Sequence, residues 1–223
     1  MTQIDTLNDI CDARYSCRAF RPDPVDRAVI ERIVATAQKI PSWCNAQPWQ
    51  LTIASGAATD AFREALYAHA MTTAAVPDLD WPEKYQGVYL DRRRACGFQL
   101  YNAVGIEKGD RPAGAKQMME NFRLFGAPHV ALVTAPKELG PYGAMDSGGF
   151  VAAFTLAAAA QGVATIAQAA IAGHAPMVRD HFGLPENRNL LCAISFGHAD
   201  PNHPANSFRT ERATPADVID WKD

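Results

Sequence analysis

The sequence predicts an α+β fold, a sheet of about four strands among roughly seven helices. Three observations predict it. Short apolar or alternating runs bounded by proline or glycine occur at Trp49–Ile53, Val130–Val133, Gly162–Ile171 and Leu190–Phe196. Longer stretches with apolar residues at helical spacing lie between them. One of these, Gly148 to Gln161, is apolar almost all round and should be a fully buried helix.

Each element has a local reason. From Val25 to Ile40, Val29, Ile33, Ala37 and Ile40 recur at helical spacing, with Asp26 as cap and Pro41 as stop. Trp49-Gln50-Leu51-Thr52-Ile53 alternates and predicts a half-buried strand. Ala57 to Ala75 predicts a helix broken by Val76-Pro77-Asp78. Tyr85 to Val104 and Lys116 to Phe125 predict two more, separated by a loop from Gly105 to Gly114. Val130-Ala131-Leu132-Val133 is a continuous apolar run, as a central strand requires. After the apolar helix, Gly162 to Ile171 predicts a strand and Ala175 to Phe182 a short helix closed by Gly183 and Pro185. Leu190 to Phe196 predicts another buried strand ending at Gly197. Thr214-Pro215-Ala216-Asp217 carries the signals of a last helix start. Asp200 to Arg212 is polar and aperiodic, so something other than core packing must place it.

Composition narrows the function. A chain of 223 residues, 48% hydrophobic and 20% charged, suits one globular domain spanning 1–223 and excludes disorder. The formal charge of −3 argues against nucleic-acid and anionic-membrane partners. Five cysteines without a CxxC pair argue against a disulfide framework and for a reducing compartment. The start MTQIDTLNDI lacks the features of a signal peptide, and Phe150 to Ala160 is too short to span a bilayer, so a cytoplasmic protein is expected.

Two clusters could carry chemistry. In Arg14-Tyr15-Ser16-Cys17-Arg18, an extended backbone puts Arg14, Ser16 and Arg18 on one face. Two guanidinium forks and a hydroxyl suit a phosphate dianion, although a solvated basic edge has the same spacing. Pro41-Ser42-Trp43-Cys44-Asn45-Ala46-Gln47-Pro48-Trp49 combines aromatics with convergent polar groups. That suits a flat heteroaromatic ligand or, equally, a rigid connector with Trp49 as a core anchor.

The order and spacing of these motifs resemble the FMN-dependent nitroreductase family. Further matches are Phe125-Gly126-Ala127-Pro128, Asp146-Ser147-Gly148, the run from Ala159 to Thr165, and the tail from Asn206 to Arg212. The resemblance implies a mostly antiparallel sheet flanked by helices and an intertwined homodimer with FMN at the interface. NADH or NADPH would reduce the flavin in a ping-pong cycle, and hydride would leave through N5 to a nitroaromatic, quinone or similar electron-poor acceptor. It also implies roles. Arg14, Tyr15, Ser16 and Arg18 resemble the N-terminal FMN-binding segment, and Arg212 the basic residue that meets the phosphate. Arg209 is either a neighbour of that phosphate or a surface charge. Ser42, Trp43 and Asn45 resemble the loop that reaches the partner's flavin, and Trp43 and Cys44 fall at the substrate pocket. Ala167, Gln168, Ala169 and Ala170 match the segment that crosses the flavin and offers backbone N–H groups near N5. The family often carries proline in place of Ala167 and glycine in place of Ala170. Asn121 and Arg123 are candidates for the ribityl or pyrimidine edge. Arg18, with Arg123 second, would stabilise the negative charge of reduced flavin, and no protein nucleophile is required.

The remaining constellations are weaker. His198, His203, His174 and His181 match no standard metal spacing and are expected to be structural or solvent-facing. Cys11, Cys17, Cys96 and Cys192 are expected as small core residues. Asp91-Arg92-Arg93-Arg94 fits a solvated helix face, with an NADPH 2′-phosphate contact as the alternative. The competing functions are another flavin chemistry (enone reduction, reductive dehalogenation, flavin breakdown) and a flavin-binding protein without turnover.

Overall fold

The computed structural model describes residues 2–222. Its centre is an antiparallel sheet in the order β1-β2-β4-β3, built from β1 (Gln50–Ser55), β2 (His129–Pro136), β3 (Ala164–Gln168) and β4 (Arg188–Gly197). Strand alternation divides the interior into two cores. Val130 and Leu132 of β2 point to one face, Ala131 and Val133 to the other. On the second face pack α2 (Arg27–Ala37), through Ile30, Ile33 and Ala37, and α6 (Gly140–Ala160), through Phe150, Phe154, Ala157 and Ala158. On the first pack α3 (Ala57–Thr72), through Phe62 and Leu66, α7 (Ala169–Ala172) and α8 (Ala175–Phe182). Trp49 stacks on Phe150 with ring centroids 5.1 Å apart, and its indole N–H donates to Gln38. That aromatic is the core anchor of its connector. Two further helices, α4 (Gly87–Ala103) and α5 (Arg111–Met119), form an excursion between α3 and β2, and no α4 residue is buried.

Several expectations need correction. An N-terminal helix, α1 (Gln3–Ala13), was not predicted, although Thr2 and Asp5 form a capping box around its first turn. The helix expected over Lys116 to Phe125 starts and stops earlier. Asp110 caps it by accepting from the Ala113 N–H at 2.9 Å, with Pro112 in the first turn, so half of the expected Gly105–Gly114 loop is helix or cap. It ends before Leu124, Phe125 and Gly126, whose φ values of 56°, 51° and 78° cannot continue a right-handed helix. The strand expected through Ile171 stops at Gln168, because Ala169–Ala172 closes into α7. The Thr214 capping box forms but leads only into the single 3-10 turn Pro215–Asp217. Cys11 is exposed rather than core, Cys17 is buried, and burial pushes the Cys192 thiol up to about 12.

The apolar helix also differs. Helix α6 begins eight positions before the expected Gly148. The stretch Lys137–Ala160 is long and apolar enough to cross a membrane by length and composition, contrary to the expectation from Phe150 to Ala160 alone. Its Phe150–Phe154–Ala158 face belongs to the core against the sheet. Yet it is not fully buried. Tyr142 and Met145 on its outer face are more than half exposed, and Gly148, Gly149 and Ala152 are open.

Candidate functional site

At the end of α1 the chain turns extended at Arg14 and runs beside the outer edge of β3. Ser16 bridges Thr165 in parallel, and the Cys17 N–H donates to the Thr165 carbonyl at 3.0 Å. The period-two alternation then operates as expected. Cys17 and Ala19 are buried in the protein, while Arg14, Ser16 and Arg18 turn to a shared cavity.

That cavity, of about 620 Å³, is lined by Arg14, Tyr15, Ser16 and Arg18 on one wall and by Phe208, Arg209, Thr210 and Arg212 on the other. A second cavity of about 310 Å³ is lined by Asn121 and by the strip Ala167-Gln168-Ala169-Ala170. Ser16 and Arg18 line both, so the two are neighbours. A basic pocket beside a flat backbone strip is the outcome.

The charged side chains that line the first cavity are four arginines and one carboxylate, Asp12. Burial, and after it the like charge of Arg212, pull the Arg14 pKa below the usual arginine range. Burial does the same to Arg18. Neither loses its proton at neutral pH, so the stress is a demand for negative charge. Among the described residues Arg14, Arg18, Arg209 and Arg212 have no carboxylate at ion-pair distance. Arg209 is not a free surface charge, because its guanidinium lies 3.7 Å from the centre of the Tyr15 ring, a cation–π geometry. Arg18 faces the Phe208 ring at 5.8 Å and donates to the Ser16 carbonyl at 3.1 Å. Guanidinium forks with the Ser16 and Thr210 hydroxyls form a donor set that fits a phosphate dianion.

The second cavity is braced from behind. Gln168 is buried, and its side-chain amide is engaged by partners within the protein. Its Oε1 accepts from the Ser195 hydroxyl at 2.6 Å, and its Nε2 donates to the Asn121 carbonyl at 2.9 Å. Its side chain braces the strip, whose expected role lies in the backbone. Asn121 Nδ2 donates to the Met118 carbonyl at 2.9 Å, which caps the end of α5. Exposed Ala167 and Ala169 leave the strip open. Arg123 stands outside both cavities of its own chain. It packs over the Tyr67 ring at 4.5 Å, beside Glu120.

The loop from Ser42 to Asn45 also lies elsewhere, and none of Ser42, Trp43, Cys44 and Asn45 lines either cavity of the same chain. Asp146 on α6 accepts from the Trp43 N–H at 3.0 Å, and the Trp43 ring stands edge-on to Tyr142 at 4.3 Å. The Ser42 hydroxyl accepts from the Gln47 N–H at 2.9 Å. Cys44, Asn45 and Gln47 all have positive φ, at 49°, 56° and 47°. Such backbone costs about 1–3 kcal/mol per residue. The 56% exposed Trp43 is held as a rigid outward projection.

Two residues of the tail match were assigned no role from the sequence, Asn206 and Phe208. Asn206 is the buried polar side chain that places the aperiodic tail, and a lone asparagine in a polar stretch carries no signal of that. A larger cavity of about 750 Å³ between α2 and β1 holds none of the expected site residues. Its polar floor is His129, whose Nε2 accepts from the Val25 N–H at 2.8 Å while Nδ1 lies 2.7 Å from the Ser55 hydroxyl. With Nε2 accepting, Nδ1 carries the proton, so this imidazole cannot activate Ser55 as a nucleophile. Among the described residues no group of histidine, cysteine and carboxylate side chains is placed to hold a metal ion.

Comparison with known proteins agrees with this geometry. The family model described as the Nitroreductase family matches residues 12–198. Nitroreductase NfnB of Mycolicibacterium smegmatis is 39% identical over 204 residues, covering 90% of this chain and 86% of its own length. The crystal structure of the FMN-dependent nitroreductase NfnB from Mycobacterium smegmatis in complex with NADPH superposes with a TM-score of 0.93 at 34% identity, over 99% of this chain and 100% of that one. That of the FMN and NADPH-dependent nitroreductase NfnB from sphigopyxis sp. strain HMH gives 0.93 at 31% identity, over 97% and 99%. Fold, cavity and full-length similarity lead to one conclusion: the chain belongs to the nitroreductase family.

Proposed function

We propose that the protein is an FMN-dependent oxidoreductase that takes hydride from NADPH or NADH and passes it to nitroaromatic, quinone or similar electron-poor acceptors. The carrying observation is the cavity in which four guanidinium groups converge without a carboxylate partner, opening onto the Ala167–Ala170 strip. Names of the most similar relatives, nitroreductases described as dependent on FMN and NADPH, support the same reading. Bound FMN would supply the hydride chemistry, accepting from nicotinamide and donating to the acceptor.

The chain's own residues do the rest. Arg14, Arg209 and Arg212 neutralise the phosphate, with Ser16 and Thr210 as hydroxyl donors. Arg18, at the junction of the cavities, sets the positive potential at the flavin end. Asn121 and the backbone of Ala167 to Ala170 line the ring site, held from behind by Gln168 and Ser195. The projecting loop Ser42–Asn45 cannot serve its own chain's cavity. It is read as lining the flavin of a second copy, with Trp43 and Cys44 at the substrate. The unit is therefore a homodimer of single-domain chains, working in the cytoplasm where nicotinamide is kept reduced. Electrostatic alignment, rather than a protein acid or nucleophile, is the catalytic contribution.

Steady-state oxidation of NADPH by the FMN-loaded protein, with 4-nitrobenzoate or a quinone as acceptor, tests this. Parallel double-reciprocal lines at varied acceptor are expected. Flavin binding without acceptor-dependent NADPH or NADH oxidation would instead leave a binding protein.

A further inference from the structure

The candidate phosphate cavity has two walls that are remote in sequence, residues 14–18 and residues 208–212. Neither wall reaches the other through an apolar core. The tail from Asp200 to Arg212 buries little beyond Ala205 and Asn206.

Besides the Arg209–Tyr15 and Arg18–Phe208 ring contacts, one buried side chain ties them by hydrogen bonds. Asn206 is 6% exposed and uses its whole amide. Its Oδ1 accepts from the Arg18 N–H at 2.8 Å. Its Nδ2 donates to the Ala19 carbonyl at 2.9 Å and to the Asp200 carbonyl at 2.8 Å. Its own backbone is engaged as well, since its N–H donates to the His203 carbonyl at 3.0 Å and its carbonyl accepts from Arg209 Nη1 at 2.9 Å. Both walls thus take their positions from this residue. On one side it fixes the backbone of Arg18. On the other it closes the turn Pro204–Asn206, after which come Phe208, Arg209 and Arg212.

We propose that Asn206 is the positioning residue of the phosphate site, acting through Arg18 and the arginine-bearing tail without touching the ligand. This inference rests on the FMN reading given above. The physics favours a single buried amide for the task. Its three short hydrogen bonds have directions that a hydrophobic contact lacks, and repulsion among the converging guanidinium groups must be opposed by something rigid. Asparagine supplies one acceptor and two donors at one point, which aspartate and leucine cannot.

Paired titrations with FMN and riboflavin test the role, because riboflavin keeps the ring and lacks the phosphate. In Asn206→Ala the FMN dissociation constant should rise about ten- to a hundredfold, the loss of two or three hydrogen bonds. Riboflavin affinity should fall by a clearly smaller factor, because riboflavin loses only what a displaced Arg18 gives the ring site and nothing at the phosphate wall. Asn206→Asp keeps the acceptor for the Arg18 N–H and loses both donors, so it should show the same selective loss, and it serves if the alanine variant fails to fold. Combined with Arg212→Gln, the effect on FMN should be less than additive, since both changes disable one wall. Equal weakening of FMN and riboflavin, unchanged FMN affinity, or full additivity with Arg212→Gln would overturn the positioning role. Wild-type protein that binds riboflavin as tightly as FMN would overturn the phosphate assignment itself, and so is distinguished from failure of Asn206 alone.

Discussion

Arg18 faces both cavities, and its backbone and side chain are tied to different partners, Asn206 and the Ser16 carbonyl. A fixed cation there should favour reduced, anionic flavin. Arg18→Gln is therefore expected to lower the flavin potential and slow reduction by NADPH about ten- to a hundredfold, equivalent to about 1–3 kcal/mol. Stopped-flow reduction of FMN-saturated variant measures this, and a rate and potential equal to wild type would exclude the role. Arg14→Glu should instead strip the flavin and leave the circular dichroism spectrum intact, because Arg14 packs against no core cluster. A separate residue-scale effect concerns acid stability. Burial, and next the charge of His198, lower the His129 pKa, and its Nε2 accepts a backbone N–H that protonation would break. The unfolded chain then binds the proton more readily, so stability is full above about pH 6.5 and falls as pH drops below it. Burial, followed by His69, lowers His174 in the same direction. Thermal unfolding between neutral and mildly acidic pH should show this slope, and His129→Gln should flatten it. The residues most legible beforehand were Arg14, Ser16 and Arg18, because strand alternation is a local rule. Gln168 and Arg123 were not, because which way each side chain turns depends on Ser195 and Tyr67, both distant in sequence.

Strands β2 and β4 could be placed from continuous apolar runs, since a strand buried on both faces needs uninterrupted hydrophobic sequence, whereas β1, an edge strand with only Ala54 buried, could be placed from its alternation. β3 ran too long in expectation. Ala169 to Ala172 has no polar punctuation, and alanine turns readily into a helix. Helix α5 differs for the opposite reason, because Asp110 and Pro112 signal its start within the stretch expected as loop. Helix α6 is anchored by Phe154, fully buried against Phe196 at 5.8 Å and Phe150 at 6.3 Å. Phe154→Ala should cost about 3–5 kcal/mol by urea unfolding at fixed protein concentration. A loss below about 1 kcal/mol would mean that this face of the helix is not its anchor. The small residues on the outer face of α6 and the strained Ser42–Gln47 loop beside it have no such packing in one chain.

At the scale of the whole molecule, exposed apolar groups gather away from the two cores. Helix α4 buries no residue, Tyr89 and Phe98 on it are open, and Trp43, Tyr142 and Met145 form another patch. A second copy covering them would bury this surface and bring the Ser42–Asn45 loop to a flavin it cannot reach alone. Light scattering should give about twice 24.2 kDa. Fully active monomer with full flavin occupancy would contradict the shared site. The sheet and its flanking helices were largely legible because pattern and period are local properties. The site was legible only in halves. Its arginine wall follows from spacing within residues 14–18, whereas the closing wall is set by Asn206, a long-range contact that no local pattern encodes. Through this cavity the protein acts as an NADPH-driven flavin enzyme. Anaerobic addition of NADPH to the FMN-loaded protein tests this most directly. The oxidised flavin absorbance should bleach with one equivalent per flavin and return when a nitroaromatic acceptor is added. Protein that takes up no FMN, or whose flavin spectrum neither NADPH nor NADH changes, would contradict it.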